Sequence, residues 1–358
     1  MSRIALVLLL IVWPLIADGV RVRRNGGVEE IRNVKVLSDD WRGVRVQDGP
    51  AVRTFAAEDV VDVIYTVAPP VWAAATTFVR EGRIEEAEAA LREVAEADPA
   101  KWPWAADAAW HRLALIAEAG RRPIDAERAW RTLVEKASEG RHVVDAWRRL
   151  VVAAVARRKS EDVERIAAAL GALAAKGGSE AAALAFESAA WNVRAATLRR
   201  AASAVTSADA LAPSTPGTKA RARLERALAR DASAAVTVEL RGVATDAAAS
   251  DLDVATARVA LARQAFDARR DEDVVAESGW LFSAPALPIE LQPLLAEALV
   301  LAGKSSRRLV DANIDPEKRR LWWDRAIDFH RRAADIAWDV PAVDEARRLY
   351  KELTAPVR

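Results

Sequence analysis

Residues Val71 to Pro99 read VWAAATTFVREGRIEEAEAALREVAEADP, and this stretch decides the fold. Apolar or small residues fall at Val71, Ala74, Ala75 and Phe78, and again at Ala87, Leu91 and Val94. Steps of three and four place each set on one face of a helix. Gly82 separates the two patterns, and Asp98-Pro99 ends the second. Two short amphipathic helices joined at a glycine make a helical hairpin.

A hairpin that belongs to an array has to recur, and the small residue opening its second helix gives the register. Ala87, Ala126 and Val163 align. Trp110, Leu113, Ala114 and Ala117 then stand where Val71, Ala74, Ala75 and Phe78 stood, followed by Ala126, Trp130 and Leu133. Trp147 and Leu150 open a third unit, with Val163, Ala167 and Leu170 in its second helix. The spacing is 39 residues from Ala87 to Ala126 and 37 from Ala126 to Val163. Pro103 in Lys101-Trp102-Pro103-Trp104 marks one inserted connection.

These units resemble tetratricopeptide repeats (TPR), whose period is roughly 34 residues. The resemblance implies a mainly α chain, an α-solenoid of antiparallel hairpins whose apolar stripes are buried by stacking. It assigns Ala75, Phe78, Ala87, Leu91, Trp110, Leu113, Ala126, Trp130, Trp147 and Leu150 to the repeat core. It also implies that the first helix of each unit lines a concave groove. That face carries Trp72, Thr76 and Arg80, then His111, Leu115 and Glu118, then Asp145, Arg148 and Val152, the expected contacts for a protein or peptide partner. Trp72 and Thr76 depart from the lysine- and asparagine-rich clamp with which some relatives grip a C-terminal carboxylate.

Beyond Gly177 the chain stays helical by pattern but the register drifts. Ser179 to Leu211 reads as one or two helices, the Ala212 to Gly217 segment as a break, and Thr218 to Arg230 as a short helix. Asp251 to Asp267 and Asp271 to Phe282 form a degenerate hairpin, with Leu261, Ala262 and Ala265 facing Val274 and Leu281. Leu291 to Leu301 stops at Gly303, Trp322 to Trp338 is a long helix behind Asp315-Pro316, and the charged Pro341 to Leu353 helix suits a terminal cap. The expected organisation is a leader at 1–17, a small β-module at 18–67, TPR-like repeats at 68–177, and a degenerate TPR-like or α-helical region at 178–358.

The β-module is legible from two-residue steps. Val20 and Val22 alternate with arginines, Asn25-Gly26-Gly27 signals a hairpin turn, and Val34/Val36, Val44/Val46 and Val52 continue the alternation up to a closing strand at Glu58 to Tyr65. Four or five short strands suffice for a small sheet or barrel-like module, and so small a core is expected to lean on the first helices. Ahead of it, Met1-Ser2-Arg3, the apolar run Ile4 to Val12 and Ala17 have the parts of a secretory signal peptide. The run is shorter than the ~20 residues of a membrane span. The chain is therefore expected to be exported, periplasmic or extracellular, without an integral span once the leader is removed and tethered if it is kept. The whole resembles exported bacterial repeat proteins with a short N-terminal β-module.

Composition excludes several chemistries. No cysteine is present among 358 residues, which removes disulfides, thiolate metal sites and a lipoprotein anchor. With 53 basic and 52 acidic residues there is no net field to recruit nucleic acid. His111, His142 and His330 lack a second ligand at metal-site spacing, so neither metal nor cofactor is expected. Gly303-Lys304-Ser305 has the ending of a phosphate loop, but Ala298 stands where that loop needs its first glycine. The leading expectation is a non-enzymatic scaffold. A carbohydrate- or envelope-polymer-binding module is the alternative raised by 13 tryptophans, Trp102, Trp104, Trp322 and Trp323 among them, and an enzyme of unrecognised type is a third. Lys219, Arg223, Arg226 and Arg230 form a basic stripe on one helix face, opposite Leu224 and Leu228.

Overall fold

A computed structural model describes residues 18–24, 26–283 and 287–355; the leader at 1–17 and Asn25 of the expected turn lie outside these. The described chain is mainly α, with fifteen α-helices behind five N-terminal strands. It divides into two compact units, Met1–Trp110 with Glu135–Val143, and His111–Val134 with Val144–Arg358. Among the described residues no helix is long and apolar enough to cross a membrane.

In the first unit, β1 (Asp18–Arg24), β2 (Gly27–Asp40), β3 (Gly43–Asp48), β4 (Ala51–Phe55) and β5 (Val60–Ile64) form an antiparallel sheet in the order β4-β3-β2-β1-β5. β4 and β5 are free edges, so the module is an open sheet and not a barrel. Val20, Val22, Ile31, Val34, Val44, Val46, Phe55 and Val63 make its core. Ile31 and Val34 are both buried although three residues apart, which simple alternation forbids. Asn33 supplies the reason, with φ of 60° in a bulge where Asp18 and Val20 of β1 pair with Val34 and Ile31. The extra residue resets the phase of the long strand. Two helices follow, α1 (Pro70–Glu81) and α2 (Ile84–Ala95). An aromatic set ties the sheet to them. Tyr65 stacks on Trp104 at 4.1 Å, and Trp72 of α1 meets Trp104 edge-on at 5.1 Å.

The remaining helices are α3 (Ala105–Ala119), α4 (Pro123–Lys136), α5 (Val143–Ala156), α6 (Ser160–Ala175), α7 (Ala181–Leu198), α8 (Ala204–Asp209), α9 (Pro216–Leu228), α10 (Ala234–Ala244), α11 (Asp251–Asp267), α12 (Asp271–Ser283), α13 (Gln292–Ala312), α14 (Pro316–Ala334) and α15 (Pro341–Thr354). One backbone device recurs where a first helix ends. Gly82, Arg121, Arg158, Arg200 and Arg269 all have φ between 53° and 72°. In each case the N–H of that residue donates to the carbonyl three residues back, and the next N–H to the carbonyl five back from itself, as in Arg121 to Glu118 and Arg122 to Ala117. This is a Schellman ending, which satisfies orphan helix carbonyls. The following helix then starts in a common register, with Ala87, Ala126, Val163 and Val274 donating to the carbonyls of Arg83, Arg122, Lys159 and Arg270. The periodic mark found in the first three hairpins thus returns at α11 and α12.

Most of the expected repeat core is interior. Ala75, Ala87, Leu91, Leu113, Ala126, Trp130 and Leu150 are buried, while Phe78, Trp110 and Trp147 are half-buried. Ala74 is exposed, one step off the stripe assigned to it. Small residues let helices approach closely, as where Ala190, Ala208 and Ala222 pack with Val193 and Leu211. Thr215 caps α9 in a capping box with Thr218, and Pro216 fills the first turn.

Two expectations in the C-terminal region are corrected. Gly303 is not a helix stop: α13 runs through it to Ala312. A Cβ there would lie 2.6 Å from Cε1 of His330 on α14, so the glycine serves close packing. The long helix also ends at Ala334, and Trp338 is buried in the connection to α15. α10 carried no clear signal because its mixed, β-branched sequence AAVTVELRGVA is helical only where Val236, Leu240 and Val243 are packed.

In the second unit α5 meets the last helices. Ala153 packs with Ala296 of α13 and with Trp338, Val340 and Val343. Arg149 pairs with Glu290 at 2.7 Å, and Arg157 Nε donates to the Asp339 carbonyl at 3.1 Å. Units of an open solenoid touch only their neighbours. Within the second unit α5 packs instead on α13 and on the segment leading into α15, far from it in sequence.

Candidate functional site

The second unit holds an open cavity of about 630 Å³. Its wall comes from α5, α7, α9, α11 and α13, the first helices of successive hairpins, and from the start of α15. Apolar surface is contributed by Val152, Leu228, Val259, Leu294 and Val300, beside the ring of Trp191. Charges stand among them. Arg263 pairs with Glu297, and Lys304 with Glu345 at 2.5 Å, and all four residues border the cavity. Arg158 and Arg200, the left-handed residues that end α5 and α7, also border it and are exposed.

The cavity floor rests on a buried charge network. Arg194 of α7 makes a two-pronged pair with Glu225 of α9, Nε and Nη2 each at 2.9 Å. Arg221 Nε lies 2.7 Å from Glu225, and Nη1 donates to Asp253 of α11 at 2.8 Å. Its guanidinium sits 4.1 Å from the centre of the Trp191 ring, a cation–π partner for a group whose Nη2 has no hydrogen-bond acceptor. Burial opposes the charge on Arg221, but Glu225 and then Asp253 outweigh it and hold the side chain above its ordinary range. Two cations and two carboxylates cancel, so three helices are bound together with no net buried charge.

The residues expected to line a groove each have their own surroundings. Val152 reaches the cavity wall. Trp72 is part of the aromatic set with Trp104, Thr76 donates its hydroxyl to the Trp72 carbonyl at 3.0 Å, and Arg80 is exposed. His111 packs against Trp130 at 5.6 Å, and Leu115 is exposed. Glu118 accepts from Trp130 Nε1 at 3.0 Å and lies 3.7 Å from Arg149, with its carboxyl raised chiefly by burial. Asp145 also faces Arg149 at 3.7 Å. Arg148 is occupied by Glu187 at 2.7 Å and Glu180 at 3.3 Å. The basic stripe borders a second cavity of about 510 Å³, yet three of its members brace neighbouring helices. Arg223 pairs with Glu239, Arg230 with Asp209, and Arg226 donates to the carbonyls of Ala208 and Leu211.

The first unit holds a polar cluster of a different kind. Tyr65 donates to Asp39 at 2.6 Å, Arg141 lies 3.2 Å from the same carboxylate, and the His142 N–H donates to Asp107 at 3.2 Å. Burial, with the nearby Asp39 charge, pushes the Asp107 carboxyl up to about 7. Burial likewise raises the Tyr65 phenol and the Asp39 carboxyl. Gly140 presses on Asp107, since a Cβ there would lie 2.3 Å from Oδ1. The cluster pins the 135–143 segment. Among the described residues no group of three or more potential ligands could hold a metal ion.

No family model, curated protein or solved structure matches this chain. The cavity residues were hidden in the sequence because Arg194, Glu225, Arg221 and Asp253 lie on three separate helices, with no fixed spacing linking them. Only the paired basic residues after α3, α5, α7 and α11, as in Arg121-Arg122, Arg158-Lys159 and Arg269-Arg270, left a trace.

Proposed function

We propose that the protein is an exported, non-enzymatic scaffold of TPR-like hairpins that takes a protein or peptide segment into the cavity of its second unit. The observation that carries this reading is that first helices from successive hairpins converge on one cavity whose wall mixes apolar and charged side chains. Such a surface accepts a chain with alternating apolar and polar side chains. The carbohydrate reading needs aromatic platforms open to solvent, and none of the twelve described tryptophans is exposed. Export rests on the leader-like residues 1–17.

The test is selection of displayed peptides on the full chain, repeated with a Thr256→Trp variant that fills the cavity from α11. Peptides that bind the wild type and are lost by the folded variant support the reading. Peptides bound equally by both, or none at all, reject it.

A further inference from the structure

We infer that the left-handed arginines Arg158 and Arg200 at the cavity mouth form a cationic rail for an acidic, extended peptide, a conclusion that rests on the cavity reading and specifies its ligand. Arg121, Arg158, Arg200 and Arg269 adopt φ of 53° to 59°, a region that glycine occupies more easily. Gly82 fills the same position in the first hairpin. All four arginines are exposed. Their immediate basic neighbours are engaged, Arg122 with Asp125, Arg157 with Glu127, Arg199 with Glu164 and Arg270 with Asp273. Among the described residues the left-handed arginines have no such ion pair. Four hairpins therefore keep a charged side chain, at a conformational cost, where a glycine would serve the backbone better.

Position gives the rail its use. Arg158, Arg200, Leu228 and Asp267, at or just beyond the C-terminal ends of α5, α7, α9 and α11, border the same cavity, so these ends share one mouth. Neighbouring helices pack about 8–10 Å apart, and an extended chain advances about 3.3–3.6 Å per residue. An acidic residue at about every third position would meet Arg158 and then Arg200, the two of these arginines that border the cavity. Leucine-like side chains between them would enter the apolar wall at Val152, Val259 and Val300. A uniformly charged polymer fits less well, because Asp267, Glu290, Glu297 and Glu345 also border the cavity.

The experiment is fluorescence anisotropy of the full chain with a fluorescein-labelled peptide carrying glutamate at every third position and leucine and alanine between, against its glutamine counterpart. The variants are Arg158→Gly/Arg200→Gly and Thr256→Trp. Glycine suits the left-handed backbone, so the double variant is expected to melt no lower than the wild type, and lost binding then reports lost side chains. The expected result is a preference for the glutamate peptide that falls about tenfold or more in the double variant, with the glutamine peptide unaffected. Equal binding of the two peptides, or an undiminished preference in the double variant, overturns the rail. If Thr256→Trp nevertheless weakens both peptides, the cavity reading survives that failure. If polyphosphate binds in an arginine-dependent way and neither peptide does, the ligand is a polyanion and the peptide proposal is wrong.

Discussion

Glu225→Gln is the sharpest perturbation of the second unit. Glu225 is fully buried and accepts from Arg194 while pairing with Arg221, which also reaches Asp253. The wild-type cluster sums to zero charge, and the amide keeps the shape but leaves one uncompensated cation in the interior. Breaking one partner of a buried pair costs about 3–5 kcal/mol. For a unit of this size each kcal/mol lowers the melting temperature by roughly 2–4 °C, so a fall of about 6–20 °C is expected. Urea and thermal unfolding should be followed by tryptophan fluorescence, since Trp191 lies against Arg221. Adding salt should not rescue the variant, because screening acts weakly on buried charge. Replacing Arg194 and Glu225 together by Met and Leu retains the Arg221–Asp253 pair and should restore much of the loss. A single-variant cost under about 1 kcal/mol, or a loss that disappears in salt, would refute a dry network and assign these groups to a solvated surface.

Acidity should act on the two units with opposite sign. Asp107 titrates at about 7 in the fold against 3.8 when unfolded, so its contribution is full below about 4 and is lost as pH rises to about 7. Asp107→Asn should flatten that slope, on the order of 4 kcal/mol at most, in hydrogen exchange of the β-module. His330 is lowered to about 4, mainly by burial and then by Lys304, so the second unit keeps this contribution above pH 6.5 and loses it as pH falls toward 4. Gly303→Ala should cost about 1–3 kcal/mol by denaturant unfolding, because its methyl group meets the His330 ring. An unchanged midpoint would mean that the ring can move aside. Arg121→Gly should raise stability by up to about 1 kcal/mol by relieving a left-handed non-glycine residue, and a lowered melting temperature would show that the arginine side chain contributes more than the backbone strain costs.

Local patterns carried far into this fold. The stripe of Ala87, Leu91 and Val94 fixed a helix and its buried face, and Ala126, Trp130 and Val163 repeated it, since helical periodicity is written in consecutive residues. The valine steps marked the strands for the same reason. Where the signal had to cross elements it was lost. Gly303 read as a stop because the His330 ring that demands a glycine lies on the next helix. Trp72, Glu118 and Arg148 read as surface because Trp104, Trp130, Arg149 and Glu187 lie elsewhere in the sequence.

By itself the sequence determined the helices, the hairpin period in the first three units and the existence of the β-module, all consequences of short-range periodicity and turn chemistry. Only the tertiary structure decided that α5 meets the last helices, that the resulting cavity rests on Arg194, Glu225, Arg221 and Asp253, and that Arg158 and Arg200 share its mouth. Which helices meet, and which buried charges they bring together, depends on how helices distant in sequence pack, so neither is encoded at any fixed spacing along the chain.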